Sequence, residues 1–153
     1  MKKLVLTALV LFGLVGCGSN KGAFIEEVPS QNDAPTAIAK LKKILKDRGL
    51  THFATIDHSE NAKSVNMALK QNTVVMFGNP LTGTVLMQCN PSMGMDLPLK
   101  LLFTTSYEGQ TTISYTNPEY WSLKHNIRDK NCLKLINELA SGMRDLAQEV
   151  AKK

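Results

Sequence analysis

A long, one-sided apolar stripe near the end of the chain constrains the fold more than any other feature. Apolar residues recur there at three- and four-residue spacing, with charged and polar residues opposite them. The stripe consists of Cys132, Leu135, Ile136, Leu139, Met143, Leu146 and Val150. This spacing predicts an amphipathic helix from about Asp129 to Ala151, with Gly142 in its exposed middle. A helix that is apolar on one side must bury that side, so the rest of the chain has to supply a second layer.

The segments before this helix alternate between strand and helix patterns. Strands are predicted at about 50–57, 73–78, 99–107 and 110–115, the last two forming a hairpin around Glu108-Gly109. Helices are predicted after the N-cap Asp33, over 59–70 with Val65 and Leu69 inward, and over a short segment from Pro118. Residues 81–89 fit a strand, but a two-turn helix suits them better. The sequence therefore predicts one α+β domain, with an antiparallel or mixed sheet, helices packed on it and a long C-terminal helix.

The N-terminus carries the pattern of an export signal. Lys2 and Lys3 precede an apolar run from Leu4 to Val15, which is shorter than the ~20 residues of a spanning helix. The run ends in Leu14-Val15-Gly16-Cys17, which resembles the lipobox of bacterial lipoproteins. The alternative is a stray cysteine after an apolar run. We expect cleavage after residue 16 and lipid on Cys17.

A lipidated Cys17 would make a membrane the chain's first partner. The resemblance implies several acyl chains, each buried methylene contributing ~0.8 kcal/mol, so attachment would be stable. Gly18, where an aspartate would favour inner-membrane retention, points to the periplasmic face of the outer membrane if the cell is Gram-negative. Residues 17–32 are polar and aperiodic and are predicted to be a flexible tether, which leaves 33–153 as the globular domain.

Charge and composition exclude some classes of partner. The net charge is +5, and losing Lys2 and Lys3 lowers it by two, to +3, spread along the chain. No block of basic residues alternates with aromatics, so nucleic acid is not a predicted partner. No motif indicates a cofactor.

The sequence offers residues for a disulfide bridge and for a metal site. Cys89 and Cys132 could form a bridge in an oxidising compartment or remain two buried thiols, and both readings stay open. Soft methionine ligands with histidine would suit copper. The residues concerned are His52, His58, His125, Met76, Met87, Met93 and Met95. Most of the methionines lie on apolar faces and fill core, so no metal site is predicted.

Four short motifs follow one another along the chain. They are Ile56-Asp57-His58-Ser59-Glu60-Asn61-Ala62, Phe77 to Gln88, Asp96 to Lys100, and Tyr115-Thr116-Asn117-Pro118-Glu119-Tyr120. Together they resemble the domain-of-unknown-function family numbered 302, over about residues 34–125. The resemblance implies an α+β fold and no assigned activity. The two cysteines are not part of the family pattern, so a bridge between them would be particular to this chain.

The same motifs supply the candidate site residues. These are Asp57, His58, Asn61, Asn79, Gly83, Thr84, Asp96 and Lys100. If they meet in one cleft, Lys100 and free N–H groups near Gly83 and Thr84 could bind a small anionic ligand. Each also has a structural explanation: Asp57 can cap a helix, Asn79-Pro80 can form a turn, and Asp96 with Lys100 can form an ion pair or a turn.

The favoured function is a binding or accessory module at the cell envelope. One alternative is a hydrolase- or lyase-like enzyme in which Asp57 orients His58 as acid or base. Another is a homodimeric scaffold that associates through a sheet edge or the last helix.

Overall fold

The structure, a computed structural model, describes residues 24–153. The predicted signal peptide and Cys17 lie outside these residues. Within them the strands are β1 (Ile25–Pro29), β2 (Thr51–Asp57), β3 (Asn72–Gly78), β4 (Leu99–Thr105) and β5 (Thr111–Thr116). The helices are α1 (Ala34–Asp47), α2 (His58–Ser64), α3 (Pro80–Cys89), α4 (Trp121–Lys124) and α5 (Lys130–Ala151). Short 3₁₀ turns occupy Pro91–Met95 and Pro118–Tyr120.

The strands form one five-stranded sheet in the order β1-β5-β4-β3-β2. Every neighbouring pair is antiparallel. Strands β2 to β5 follow one another along the sheet, and β1 is added beside β5. Together with the helices, this sheet confirms the predicted α+β class, and the sheet is antiparallel rather than mixed.

One face of the sheet packs against α1 and α5. Alternate residues of the central strands point to this face and are buried, because successive side chains of a strand point to opposite sides. They are Val75, Phe77, Leu101, Phe103, Ile113 and Tyr115. Leu41 and Leu45 of α1 and Met143, Leu146 and Val150 of α5 cover them. The C-terminal half of the predicted stripe therefore builds the main core.

A second apolar cluster lies beside the first half of α5. It consists of Leu86, Met93, Trp121, Ile127, Cys132 and Ile136. Cys89 at the end of α3 is bonded to Cys132 in the first turn of α5, with Cα atoms 6.4 Å apart. The sequence left open a disulfide bridge or two buried thiols, and the structure contains the bridge.

Two segments differ from the sequence prediction. Residues 25–29 were predicted to be tether, but they form β1, whose backbone pairs with β5. The predicted helix over 59–70 ends at Ser64, because Asn66 takes a left-handed backbone with a φ of 59°. Val65 and Leu69, predicted to point inward, are 62% and 46% exposed.

Within residues 24–153, none of the helices combines the length and apolar content needed to cross a bilayer.

Candidate functional site

The predicted site residues lie at two opposite ends of the sheet. Asp57 stands across from Thr73 at the start of β3, whereas Asn79 directly follows the end of that strand. The seven residues of β3 separate the two places. At about 3.4 Å per residue, this is a distance of roughly 20 Å. The prediction of a single cleft containing all eight residues is therefore wrong.

At the first end, Asp57 acts as the N-cap of α2. Its carboxylate accepts hydrogen bonds from the backbone N–H groups of Ser59 (2.8 Å) and Glu60 (3.2 Å). Burial would raise the pKa of the Asp57 carboxyl, but the hydrogen bonds from Glu60 and Ser59 outweigh it and lower the pKa below its ordinary value. His58 and Asn61 are exposed on the surface of α2. The capping role alone accounts for Asp57 in this motif.

At the other end, the start of α3 does not offer free donors for an anion. The side chain of Asn79 accepts from the N–H groups of Leu81 (2.9 Å) and Thr82 (3.4 Å). The N–H of Gly83 donates to the Asn79 carbonyl at 2.9 Å, and Pro80 has no N–H. The Thr84 hydroxyl donates to the Pro80 carbonyl at 2.8 Å. The predicted anion site at Gly83 and Thr84 is therefore wrong, because the donors of this turn are already used.

These residues instead border an apolar cleft of about 740 Å³. Helix α3 contributes one wall and helix α5 the opposite wall. The floor is formed by the ends of β2, β3 and β4. The side chains that define it are Phe53, Phe77, Met87, Leu97, Leu139 and Met143. Gly142 lines the α5 wall, and a Cβ at this position would meet no atom within 4 Å. Asn79, Gly83 and Thr84 contribute to the lining as wall residues.

The charged groups of the cleft, among the residues described, stand at its rim and are paired. Arg48 forms an ion pair with Glu149, and Glu138 lies 3.8 Å from the ammonium of Lys134. All four side chains are exposed, Arg48 and Glu149 by 44% and 45% and Lys134 and Glu138 by 78% and 59%. The interior of the cleft is therefore suited to an uncharged, apolar group.

A polar network around the buried His125 links the loop that follows α3 to the end of α4. The Asp96 carboxylate contacts His125 Nε2 at 2.5 Å and Lys124 Nζ at 2.8 Å. His125 Nδ1 lies 2.7 Å from the Ser92 hydroxyl, and the His125 residue is only 4% exposed. The ammonium of Lys100 donates to the carbonyls of Asp96 (3.0 Å) and Pro98 (2.9 Å). Of the ion pair or turn predicted for Asp96 and Lys100, the ion pair is not formed, since Lys100 bonds the backbone carbonyls of the turn and Asp96 bonds other side chains.

The network shifts the pKa of two groups, the Asp96 carboxyl and the Lys100 ammonium. Burial would raise the pKa of the Asp96 carboxyl, but hydrogen bonds from Lys124 and His125 outweigh it, so the pKa lies below its ordinary value. Burial lowers the pKa of the Lys100 ammonium, against the opposing effect of Asp96. No group of three or more potential metal ligands occurs among residues 24–153.

We expect Asp96→Asn to lower the free energy of unfolding by about 1–3 kcal/mol at pH 7, because Lys124 and His125 lose their charged partner. A lowered native pKa stabilises the fold above the unfolded pKa of about 3.9, and this contribution disappears as the pH falls through the native value. The difference between wild type and variant should therefore shrink below about pH 4. Urea denaturation from pH 7 to pH 2 measures this difference.

Asp145→Asn, at an exposed site on α5, is the control and should change stability by less than about 0.5 kcal/mol. Equal midpoints for Asp96→Asn and wild type at pH 7 would refute the expectation.

Two features of the site could not be predicted from the sequence. The sequence indicated His125 only as a potential metal ligand, because 29 residues separate it from Asp96 and nothing local links them. The cleft is formed by α3 and α5, which lie far apart along the chain. In the sequence, only Gly142 pointed to the cleft. A glycine in the middle of a long helix costs about 1 kcal/mol relative to alanine, which suggests a packing or functional role.

The fold and cleft define a class: a single-domain α+β module whose pocket lies between two helices at one end of an antiparallel sheet. The chain belongs to the family described as Domain of unknown function DUF302, whose family model matches residues 26–150. The chain is similar to a solved structure, the crystal structure of uncharacterized conserved protein DUF302 from Bacillus stearothermophilus. The two share 17% identity and a TM-score of 0.73, over 84% of this chain and 98% of that one.

The chain also resembles part of two curated proteins named Fluoride-specific ion channel FluC 1. The one from Brucella suis is 29% identical over 100 residues, which are 65% of this chain and 39% of that protein. The one from Brucella abortus is 29% identical over 100 residues and 37% of its length. The chain thus spans less than two fifths of the relatives it matches.

Proposed function

We propose that this domain is an accessory binding module of the cell envelope, held at a membrane by lipid on Cys17, whose cleft takes one small ligand with an apolar body. The observation that carries the proposal is the cleft between α3 and α5. Its volume of about 740 Å³ is in the range of roughly 300–1,000 Å³ typical of small-molecule sites. Its walls are apolar side chains, with a few polar groups at the margin, which is the usual composition of such a site.

The chemistry of the walls favours a neutral or amphipathic ligand over the anionic one expected from the sequence. Lys100 and the N–H groups of the first turn of α3 are already hydrogen-bonded, and Arg48 is paired with Glu149. An aliphatic chain of about eight carbons gains about 0.8 kcal/mol for each methylene it buries, or roughly 6 kcal/mol in all. Immobilising the ligand offsets part of this gain. We therefore expect a dissociation constant no tighter than tens of micromolar, roughly.

The membrane part of the proposal is supported by two independent features. The lipobox-like Leu14-Val15-Gly16-Cys17 precedes the domain by only a few residues. The relatives from Brucella carry the name of an ion channel, and the part matched by this chain is the smaller part of their length. The likeness to part of proteins that carry this name supports an accessory role close to a bilayer.

Replacing Cys17 should release the protein from membranes. In cells grown with a labelled fatty acid, the wild-type chain should carry label and sediment with the membrane fraction. Cys17→Ser should lose both properties, since the acylated sulfur is gone. Fractionation and intact mass measure the two effects. Cys132→Ser, which removes a different cysteine, should keep the label, and equal labelling of wild type and Cys17→Ser would refute the anchor.

The cleft itself can be closed at Gly142. Gly142→Phe should place a ring at the α5 wall and weaken binding of the neutral fluorescent probe 1-aminoanthracene at least tenfold. Gly142→Ala is the matched control, because its methyl group meets no atom within 4 Å. The alanine variant should bind as wild type does and gain up to about 1 kcal/mol of stability. Fluorescence titration, with octan-1-ol as competitor, measures the effect. Equal probe affinity in both variants would contradict the assignment of the cleft.

A further inference from the structure

Ser92, His125 and Asp96 form one continuous hydrogen-bonded chain. The Ser92 hydroxyl oxygen lies 2.7 Å from His125 Nδ1, and the Asp96 carboxylate lies 2.5 Å from His125 Nε2. Ser92 and Asp96 come from the loop after α3, and His125 directly follows α4. His125 is therefore brought to the loop of Ser92 and Asp96 only by the fold.

The contacts of Asp96 indicate which group donates in the Ser92–His125 and His125–Asp96 hydrogen bonds. Its carboxylate also accepts from the Lys124 ammonium at 2.8 Å, so it remains ionised at neutral pH and acts only as an acceptor. Nε2 of His125 must then carry the ring proton and donate it to Asp96. In the neutral ring the other nitrogen, Nδ1, is then an acceptor, and the Ser92 hydroxyl donates to it. This is the order of serine, imidazole and carboxylate in serine hydrolases, with the two ring nitrogens exchanged.

His125 is buried and Ser92 is exposed, as a base and the nucleophile that it activates require. The His125 side chain is 3% exposed, its ring contacts Ser92 and Asp96, and its backbone carbonyl accepts from the Asn90 side chain at 2.8 Å. Ser92 is exposed in the first 3₁₀ turn, Pro91–Met95. The nucleophile candidate thus belongs to a surface residue, whereas the base beside it is buried.

We propose that Ser92 is a nucleophile for acyl transfer from small acyl esters, with His125 as its base and Asp96 as a positioning residue. The Ser92 oxygen attacks the ester carbonyl carbon, and its proton passes to His125 Nδ1. The bond from the carbonyl carbon to the leaving oxygen then breaks, and that oxygen takes the proton, which gives acyl-Ser92 and an alcohol. Water attacks the acyl-serine in the same way, which returns the proton to Ser92 and releases the carboxylic acid. This activity is independent of the ligand proposed for the cleft.

The test uses the full chain in detergent and 4-nitrophenyl acetate. Wild type should release 4-nitrophenolate and gain one acetyl group, and peptide mass spectrometry should place that group on Ser92. Ser92→Ala should reduce the acetylation rate at least 100-fold. Ser106→Ala, in the exposed turn between β4 and β5, is the matched control and should react as wild type does. No acetylation of wild type, acetylation confined to lysines, or an unchanged rate in Ser92→Ala would overturn the proposal.

The base and its positioning residue need variants that separate chemistry from folding. His125→Asn should slow acetylation about 100-fold, the lower end of the usual range for a general base. Since loss of a buried ring can unfold the domain, Ser92→Thr serves as the second variant: it keeps a hydroxyl and should retain more activity than Ser92→Ala. Asp96→Ala should slow acetylation at least tenfold, and Asp96→Glu should recover part of the rate by restoring a carboxylate. Equal rates in Asp96→Ala and wild type would show that the network only holds the loop.

Discussion

Replacing both Cys89 and Cys132 by alanine should lower the free energy of unfolding by about 4 kcal/mol. The bridge closes a loop with a sequence separation of 43 residues, and it joins the end of α3 to the first turn of α5. Without it, the unfolded chain regains the freedom that the cross-link removes, and unfolding becomes more favourable. For a domain of this size the melting temperature should fall by roughly 12–20 °C.

The effect is measured by urea denaturation of protein purified without reductant. Trp121 is the single tryptophan of the chain and is 2% exposed, so its fluorescence reports loss of the second apolar cluster. Wild type treated with dithiothreitol is the matched control and should unfold near the midpoint of the double variant. If oxidised and reduced wild type unfold at the same midpoint, the bridge does not stabilise the domain.

Truncating Phe103 to alanine should cost about 3–5 kcal/mol of unfolding free energy. Phe103 is fully buried at the centre of the sheet, between Thr73 of β3 and Ile113 of β5 and beneath α1 and α5. Alanine would leave a cavity that the surrounding close-packed side chains can fill only in part. Domains of this kind are stable by only about 5–15 kcal/mol, so the variant should be close to unfolding at growth temperature.

Two further variants isolate the cause of that loss. Phe103→Leu keeps most of the volume and should cost less than about 1.5 kcal/mol. Leu102→Ala alters the next residue of β4, which points to the opposite, half-buried face of the sheet, and should cost at most about half as much as Phe103→Ala. Urea denaturation at pH 7 compares all three with wild type. Similar losses for Leu102→Ala and Phe103→Ala would mean that the core does not lie on the face shared with α1 and α5.

Much of the fold was predictable because it depends on neighbours along the chain. The stripe of α5 needed only three- and four-residue spacing, and its first residues needed only Asp129 as the N-cap, whose side chain accepts from Asn131 and Cys132. Asp33 starts α1 in the same way, by accepting from Thr36 at 2.8 Å. The hairpin of β4 and β5 followed from alternation on both sides of a turn.

The candidate site was predictable only in part. Asn79, Gly83 and Thr84 do border the cleft, but as the cap and wall of α3. Asp96 does belong to a polar network, but its partners are His125 and Lys124 rather than Lys100. The motifs mark the segments that matter, whereas their hydrogen bonds depend on groups that the sequence cannot place at a distance.

The class of the domain, the start of its main helices and its buried strands could be predicted from the sequence, because each depends on contacts within a few residues. Four other features depend on the tertiary structure. These are the pairing of β1 with β5, the Cys89–Cys132 bridge, the cleft between α3 and α5, and the chain Ser92–His125–Asp96. Each brings together groups that are distant along the chain. Their meeting depends on how the helices pack on the sheet and on which strand each edge pairs with, and local periodicity carries no information on either.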